Sequence, residues 1–100
     1  MAAIMTLRDM AVSGSEQCPE LEGRLWKAAC IVAFRDIERL SPQTYRVSGE
    51  DRARVYIVQN GECTCPDWKR HKDGWFCKHR LAVGMLLRME RQQAEHQQGC

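Results

Sequence analysis

Apolar positions recur most persistently between Pro19 and about Leu40. Leu25, Ala28, Ala29, Val32 and Leu40, with Trp26, Ala33 and Ile37 beside them, follow helical spacing, while Arg35, Glu38 and Arg39 mark a wet side. Pro19 suits a first helical turn, and Glu20 and Glu22 complement the positive end of the helix dipole. The pattern predicts one helix over residues 19–41, closed by Ser41-Pro42 because a residue before proline avoids helical geometry. The run from Cys30 to Phe34 would also suit a buried strand, but the length of the whole segment favours helix. Cys30 falls within the apolar face and reads as a small core residue. Residues 1–18, mixed around Ser13-Gly14-Ser15 without periodicity, read as a flexible N-terminal arm.

After Pro42 the period shortens to two. Thr44 to Val47 alternates, Gly49-Glu50-Asp51 reads as a turn, and Arg54 to Gln59 is the clearest strand of the chain. Asn60-Gly61 is the dipeptide preferred in two-residue type I′ hairpins, where both central residues need positive φ. The return strand starts at Glu62-Cys63. From Cys77 to about Glu90 the helical period resumes, with Leu81, Ala82, Met85, Leu86 and Met89 on one face. Gly84 weakens that helix by about 1 kcal/mol relative to alanine. Residues 92–100, rich in glutamine, read as a frayed polar tail. The expected fold is α+β: an N-terminal helix, a short antiparallel β-hairpin or sheet, and a C-terminal helix, with residues 42–91 as one unit.

One hundred residues bury a core inefficiently, and chains of this size often depend on a metal or disulfide staple. Six cysteines are present. The N-terminus carries no long apolar leader, and no uncharged apolar run is long enough to span a bilayer. An intracellular, reducing setting (cytoplasmic, or nuclear in a eukaryote) follows as the expectation, and there clustered cysteines read as metal ligands. Cys63-Thr64-Cys65 and Cys77-Lys78-His79 form two close pairs eleven residues apart. Three thiolates and an imidazole suit the borderline softness and tetrahedral preference of zinc. The expected site is one structural zinc held by Cys63, Cys65, Cys77 and His79, tying hairpin to helix. A Cys63–Cys65 disulfide would close a strained ring. A histidine in place of a fourth cysteine favours zinc over an iron–sulfur cluster. His71, in the loop between the pairs, is the other candidate for fourth ligand, but His79 at the helix start has the better-defined position. His96 in the tail is not expected to ligate.

Tyr56-Ile57-Val58, Cys63-Thr64-Cys65-Pro66-Asp67 and Cys77-Lys78-His79-Arg80-Leu81-Ala82 together resemble the SWIM zinc finger, whose pattern is Cys-x-Cys, a variable gap, then Cys-x-His. The resemblance spans roughly Tyr45 to Leu87, about half the chain. It implies a hairpin and helix around one zinc, with Cys63, Cys65, Cys77 and His79 as the ligands and His71 not among them. Such fingers occur in transposases, chromatin-remodelling-type ATPases and recombination-associated proteins, as modules that bind DNA or protein. No transposase, ATPase or kinase sequence accompanies it here.

Four protein ligands leave zinc no open position for water, and no other catalytic constellation appears, so the expected class is not an enzyme. Residues 63–91 hold seven Lys or Arg against three Asp or Glu, whereas residues 1–62 hold eight against nine. That local excess makes nucleic acid, DNA first, the expected partner, through Lys69, Arg70, Lys72, Lys78 and Arg80. Trp68, Trp75 and Phe76 lie among those cations and could stack on bases, though a small domain has stronger need of them in its core. The alternative is protein interaction. The broad face of the N-terminal helix is expected first to cover the hairpin within the chain, but it could instead pair with another copy or with a larger enzyme, making the chain an accessory subunit of a nucleic-acid-processing assembly. Neither a membrane nor a small-molecule substrate is expected.

Overall fold

Residues 5–48, 54–71 and 76–98 are described by a computed structural model, the side chains of 71 and 95–98 excepted. The first element is a helix, α1 (Leu7–Gln17), where a flexible arm is expected from the sequence. Thr6 and Asp9 start it with a capping box: the Asp9 amide donates to Thr6 Oγ1 at 3.1 Å and the Thr6 amide to Asp9 Oδ2 at 3.0 Å. The Thr6 amide first, and the Thr6 side chain after it, also hold the Asp9 carboxyl below its usual range. Met10 and Ala11 are buried against the next helix. Gly14, which reads as a loop residue, marks a close approach. A Cβ there would stand 2.9 Å from Leu25 Cδ1.

A 3-10 turn at Pro19–Leu21 leads into α2 (Glu22–Ala33). The helix expected to reach residue 41 stops at Phe34. Arg35 takes positive φ, 59°, its amide donates to Val32 O at 3.1 Å, and the Asp36 amide reaches back to Ile31 O at 3.0 Å. This is a Schellman closure with arginine at the position usually given to glycine. Ile37 and Leu40 therefore belong to a strand. The buried face of α2 is Leu25, Ala28, Ala29 and Ile31. Cys30 lies opposite them and is exposed, which corrects its assignment to the core.

Four antiparallel strands follow in the order β1 (Ile37–Ser41), β2 (Thr44–Ser48), β3 (Val55–Gln59) and β4 (Glu62–Cys63). Register places Ile37 beside Val47, Val47 beside Tyr56, Tyr45 beside Val58 and Val58 beside Cys63. By the period of two these side chains share one face, and Tyr45, Val47, Val58 and Cys63 on it are buried. The turn expected at Gly49-Glu50-Asp51 lies outside the described residues. Asn60 (φ 52°) and Gly61 (φ 82°) both lie in the left-handed region, as their dipeptide predicts for the β3–β4 hairpin.

Two helices close the fold, α3 (Pro66–His71) and α4 (Lys78–Gln98). Ala82, Val83 and Met85 of α4 are buried, and α4 packs on α2. The helix runs through the segment expected to fray. Gln92 helps secure it, since its side chain accepts from the Met5 amide at 2.8 Å and donates to the Met5 carbonyl at 3.0 Å.

Candidate metal centre

Cys63 ends β4, and one further rung continues the ladder beyond it. The Thr64 amide donates to Ile57 O at 3.1 Å, and Thr64 Oγ1 accepts from the Ile57 amide at 3.0 Å. With that rung in place, the period of two puts the sulfurs of Cys63 and Cys65 on the same side, and their donor atoms meet in one cluster. Cys65 then serves as the N-cap of α3: its carbonyl accepts from the Lys69 amide at 3.1 Å and its Sγ from the Trp68 amide at 3.3 Å. Cys77 plays the same part for α4, accepting from the Leu81 amide at 3.0 Å through its carbonyl and from the Arg80 amide at 3.4 Å through Sγ. Two of the three thiols thus occupy positions where helix amides already favour negative charge.

Cys63, Cys65, Cys77 and His79 are all buried, and their donor atoms lie within 4.8 Å of one another. His79 Nδ1 stands 3.7 Å from Cys63 Sγ. Sulfur and nitrogen bound tetrahedrally to one zinc would be about 3.6 Å apart, from the usual bond lengths. The imidazole lies 4.6 Å from the Tyr56 ring, and its Nε2 is buried without a hydrogen-bond partner among the described residues. Three buried thiols gathered around one face of a buried imidazole are costly packing partners unless a cation unites them. The donor set fits zinc.

Charge is divided unevenly among the thiols. The Cys63 thiol donates to Cys77, which holds Cys77 as a thiolate down to about 4, with His79 and the Arg80 amide adding to the effect. The same bond, together with burial, pushes Cys63 up. Burial pushes Cys65 up as well.

Residues 45–83 match the SWIM zinc finger. No curated protein and no solved structure matches the chain. The matched segment runs from β2 into α4, so α1, α2 and β1 lie outside it. The SWIM pattern and the Cys₃His cluster agree on a zinc-binding module with one structural zinc.

The cationic residues are dispersed. Lys69 and Arg70 are exposed on α3, whereas Lys78 and Arg80 are half-buried at the start of α4. The Arg80 guanidinium lies 4.8 Å from the Phe76 ring centroid and beside Gly61 of the hairpin. Lys72 and Trp75 lie outside the described residues, as does the His71 side chain. Trp68 is half-buried against the core with a buried indole Nε1 that has no hydrogen-bond partner among the described residues, while Phe76 is exposed. The segment expected to be a loop from Trp68 thus begins as helix.

Arg24 is a site residue that sequence reasoning misses. It reaches from α2 to Asp67 of α3, and with Lys27, Tyr56, Lys78 and His79 it lines an open cleft of about 470 Å³ beside the metal centre. The acidic residue of the Cys-Pro-Asp context was the available signal, since a half-buried carboxylate needs a cation. No helix among the described residues is long and apolar enough to cross a membrane.

Proposed function

We propose that this chain is a non-catalytic module in which Cys63, Cys65, Cys77 and His79 hold one structural zinc and display a basic surface to nucleic acid, DNA foremost. Held by four protein ligands, the ion would join the hairpin to α3 and α4 and would keep no open position for Lewis-acid chemistry. Cys65 orients α3 through its N-cap, and α3 carries the exposed pair Lys69 and Arg70. That exposed pair, on a helix anchored at a metal ligand, is the observation that carries the reading. Lys78 extends the same charge towards the cleft, and Lys72 lies in the sequence between them. Arg80 contributes chiefly by bracing Phe76 and the hairpin turn. The thiols imply a reducing, intracellular setting.

Titration of the zinc-loaded chain with labelled single- and double-stranded oligonucleotides tests this. Binding should weaken steeply with salt, as released counterions require. The pair Lys69→Glu and Arg70→Glu should abolish it with zinc content unchanged. Absence of binding at low salt would sink the reading. A second reading, protein contact, is favoured by one observation: Trp26 and Phe34 of the N-terminal region are large, apolar and exposed.

A further inference from the structure

The helix α2 has two apolar faces, and the fold uses one. Leu25, Ala28, Ala29 and Ile31 are buried, while Gly23, Trp26, Cys30, Ala33 and Phe34 on the opposite side are exposed. These five recur at spacings of three and four, so they form one stripe along the helix. Trp26 retains 38 % and Phe34 65 % of its accessible surface. Exposed apolar side chains gathered on one face mark an interaction surface, whereas scattered ones need no explanation.

We propose that this stripe docks a second copy of the chain, the two α2 helices running antiparallel about a twofold axis. This deepens the protein-contact reading and is independent of the nucleic-acid one. Shape and charge select the same register. An antiparallel alignment that sets Phe34 over Gly23 of the other copy lets the largest exposed ring meet the one position with no side chain. The space above Gly23 is open: a Cβ built there meets nothing within 4 Å. In that register Trp26 falls close to Cys30 and Ala33 of the other copy, again large against small. Glu22, the first residue of α2, then lies level with Arg35, the first beyond its Phe34 cap. Neither Glu22 nor Arg35 has an ion-pair or hydrogen-bond partner for its side chain among the described residues. Twofold symmetry forms each of these contacts twice, as an isologous interface requires. Lys27, also exposed, borders the stripe on the side of the cleft beside the metal centre.

One twelve-residue helix offers less than the roughly 800 Å² per partner of a standard interface, so the dimer dissociates in the micromolar range. Sedimentation equilibrium of the full zinc-loaded chain, from about 10 to about 500 µM, should therefore show a monomer–dimer equilibrium. Gly23→Arg is the decisive variant. Arginine is the better helix former, so the monomer should melt higher while the dimer is lost at every concentration. Glu22→Arg and Arg35→Glu should each weaken association about tenfold or more, and the two combined should restore it. A chain that stays monomeric at the highest concentration overturns the proposal, as does a dimer indifferent to Gly23→Arg or a double exchange that restores nothing. Oligonucleotide titration of the parent chain at low micromolar concentration reports separately on the nucleic-acid reading.

Discussion

Arg24 grips Asp67 with two parallel hydrogen bonds, Nε to Oδ2 at 2.8 Å and Nη2 to Oδ1 at 3.0 Å. The fork joins α2, outside the matched finger, to α3, inside it. Asp67 also sits in the first turn of α3, where the helix dipole favours its charge. Its hydrogen bonds hold the Arg24 guanidinium further into its charged form. Both side chains are 31 % exposed, so the pair is neither dry nor fully screened.

Arg24→Ala should cost about 1–2 kcal/mol, between the values for surface ion pairs and for hydrogen bonds to charged groups. Arg24→Lys should recover less than half of this, because an ammonium cannot reproduce the planar fork. Denaturant melts of both variants, with Asp67→Asn closing a double-mutant cycle, give the coupling directly. A coupling near zero would show that α2 is held by its apolar face alone.

Cys65 and Cys77 each belong to the cluster that could hold the metal and each caps a helix, and the two roles separate by substitution. Structural zinc in finger peptides contributes about 10–16 kcal/mol at neutral pH, so alanine or serine at Cys77 should abolish stoichiometric zinc and unfold the finger from about Gln59 to Met89. Serine keeps an oxygen that accepts the Arg80 amide. In peptides spanning α4, Cys77→Ser should accordingly be more helical than Cys77→Ala, by about 1 kcal/mol of capping. Circular dichroism of the pair decides it, and equal helicity would remove the capping role.

Zinc loading should release about three protons at pH 7, because a finger unfolded without its ion carries three ordinary thiols. A finger that kept its fold without zinc would release about two, with Cys77 already a thiolate and Cys63 and Cys65 holding their protons until the ion displaces them. The signs follow from linkage. Cys77, depressed to about 4, stabilises the folded apo form above the unfolded thiol range and loses that contribution as pH falls through about 4. Cys63 and Cys65, raised, stabilise it below that range and lose the contribution as pH rises. Affinity for zinc should fall as the solution is acidified. Calorimetry in buffers of different ionisation enthalpy counts the protons, and a release of two would mean that the apo finger is already folded.

The ligands and the hairpin were legible because both rest on local chemistry. Spacing pairs the ligands, and Asn60-Gly61 carries the positive φ that its turn demands. Elsewhere a local signal was absent or pointed the other way. Arg35 closes α2 in a conformation that glycine usually announces, so the pattern ran on through β1. Gly14 suggests a loop but serves a close approach between helices, which only tertiary contact reveals. Cys30 reads as core from sequence because Trp26, Ala33 and Leu40 widen the apparent face. The fold buries the opposite stripe. Gln92, Gln93, Ala94 and Glu95 are good helix formers, and polarity alone is no reason for a helix to end.

Two glycines should respond oppositely to alanine, and the contrast tests how the hairpin aims Cys63. Gly61 has φ of 82°, where an L side chain costs about 1–2 kcal/mol, and the strain falls two residues before the first ligand. Its neighbour Arg80 leaves room, the nearest side-chain atom lying 3.6 Å from a built Cβ, so the cost is conformational and not steric. Gly61→Ala should therefore lower both thermal stability and zinc affinity. Gly84 sits in mid-helix with nothing within 4 Å of a built Cβ. Gly84→Ala should raise stability by up to about 1 kcal/mol and leave zinc affinity unchanged, since it alters helix propensity alone. Zinc competition with a chromophoric chelator reads the affinities and thermal melts the stabilities. If Gly61→Ala binds zinc as tightly as the parent chain, the turn does not set the position of Cys63.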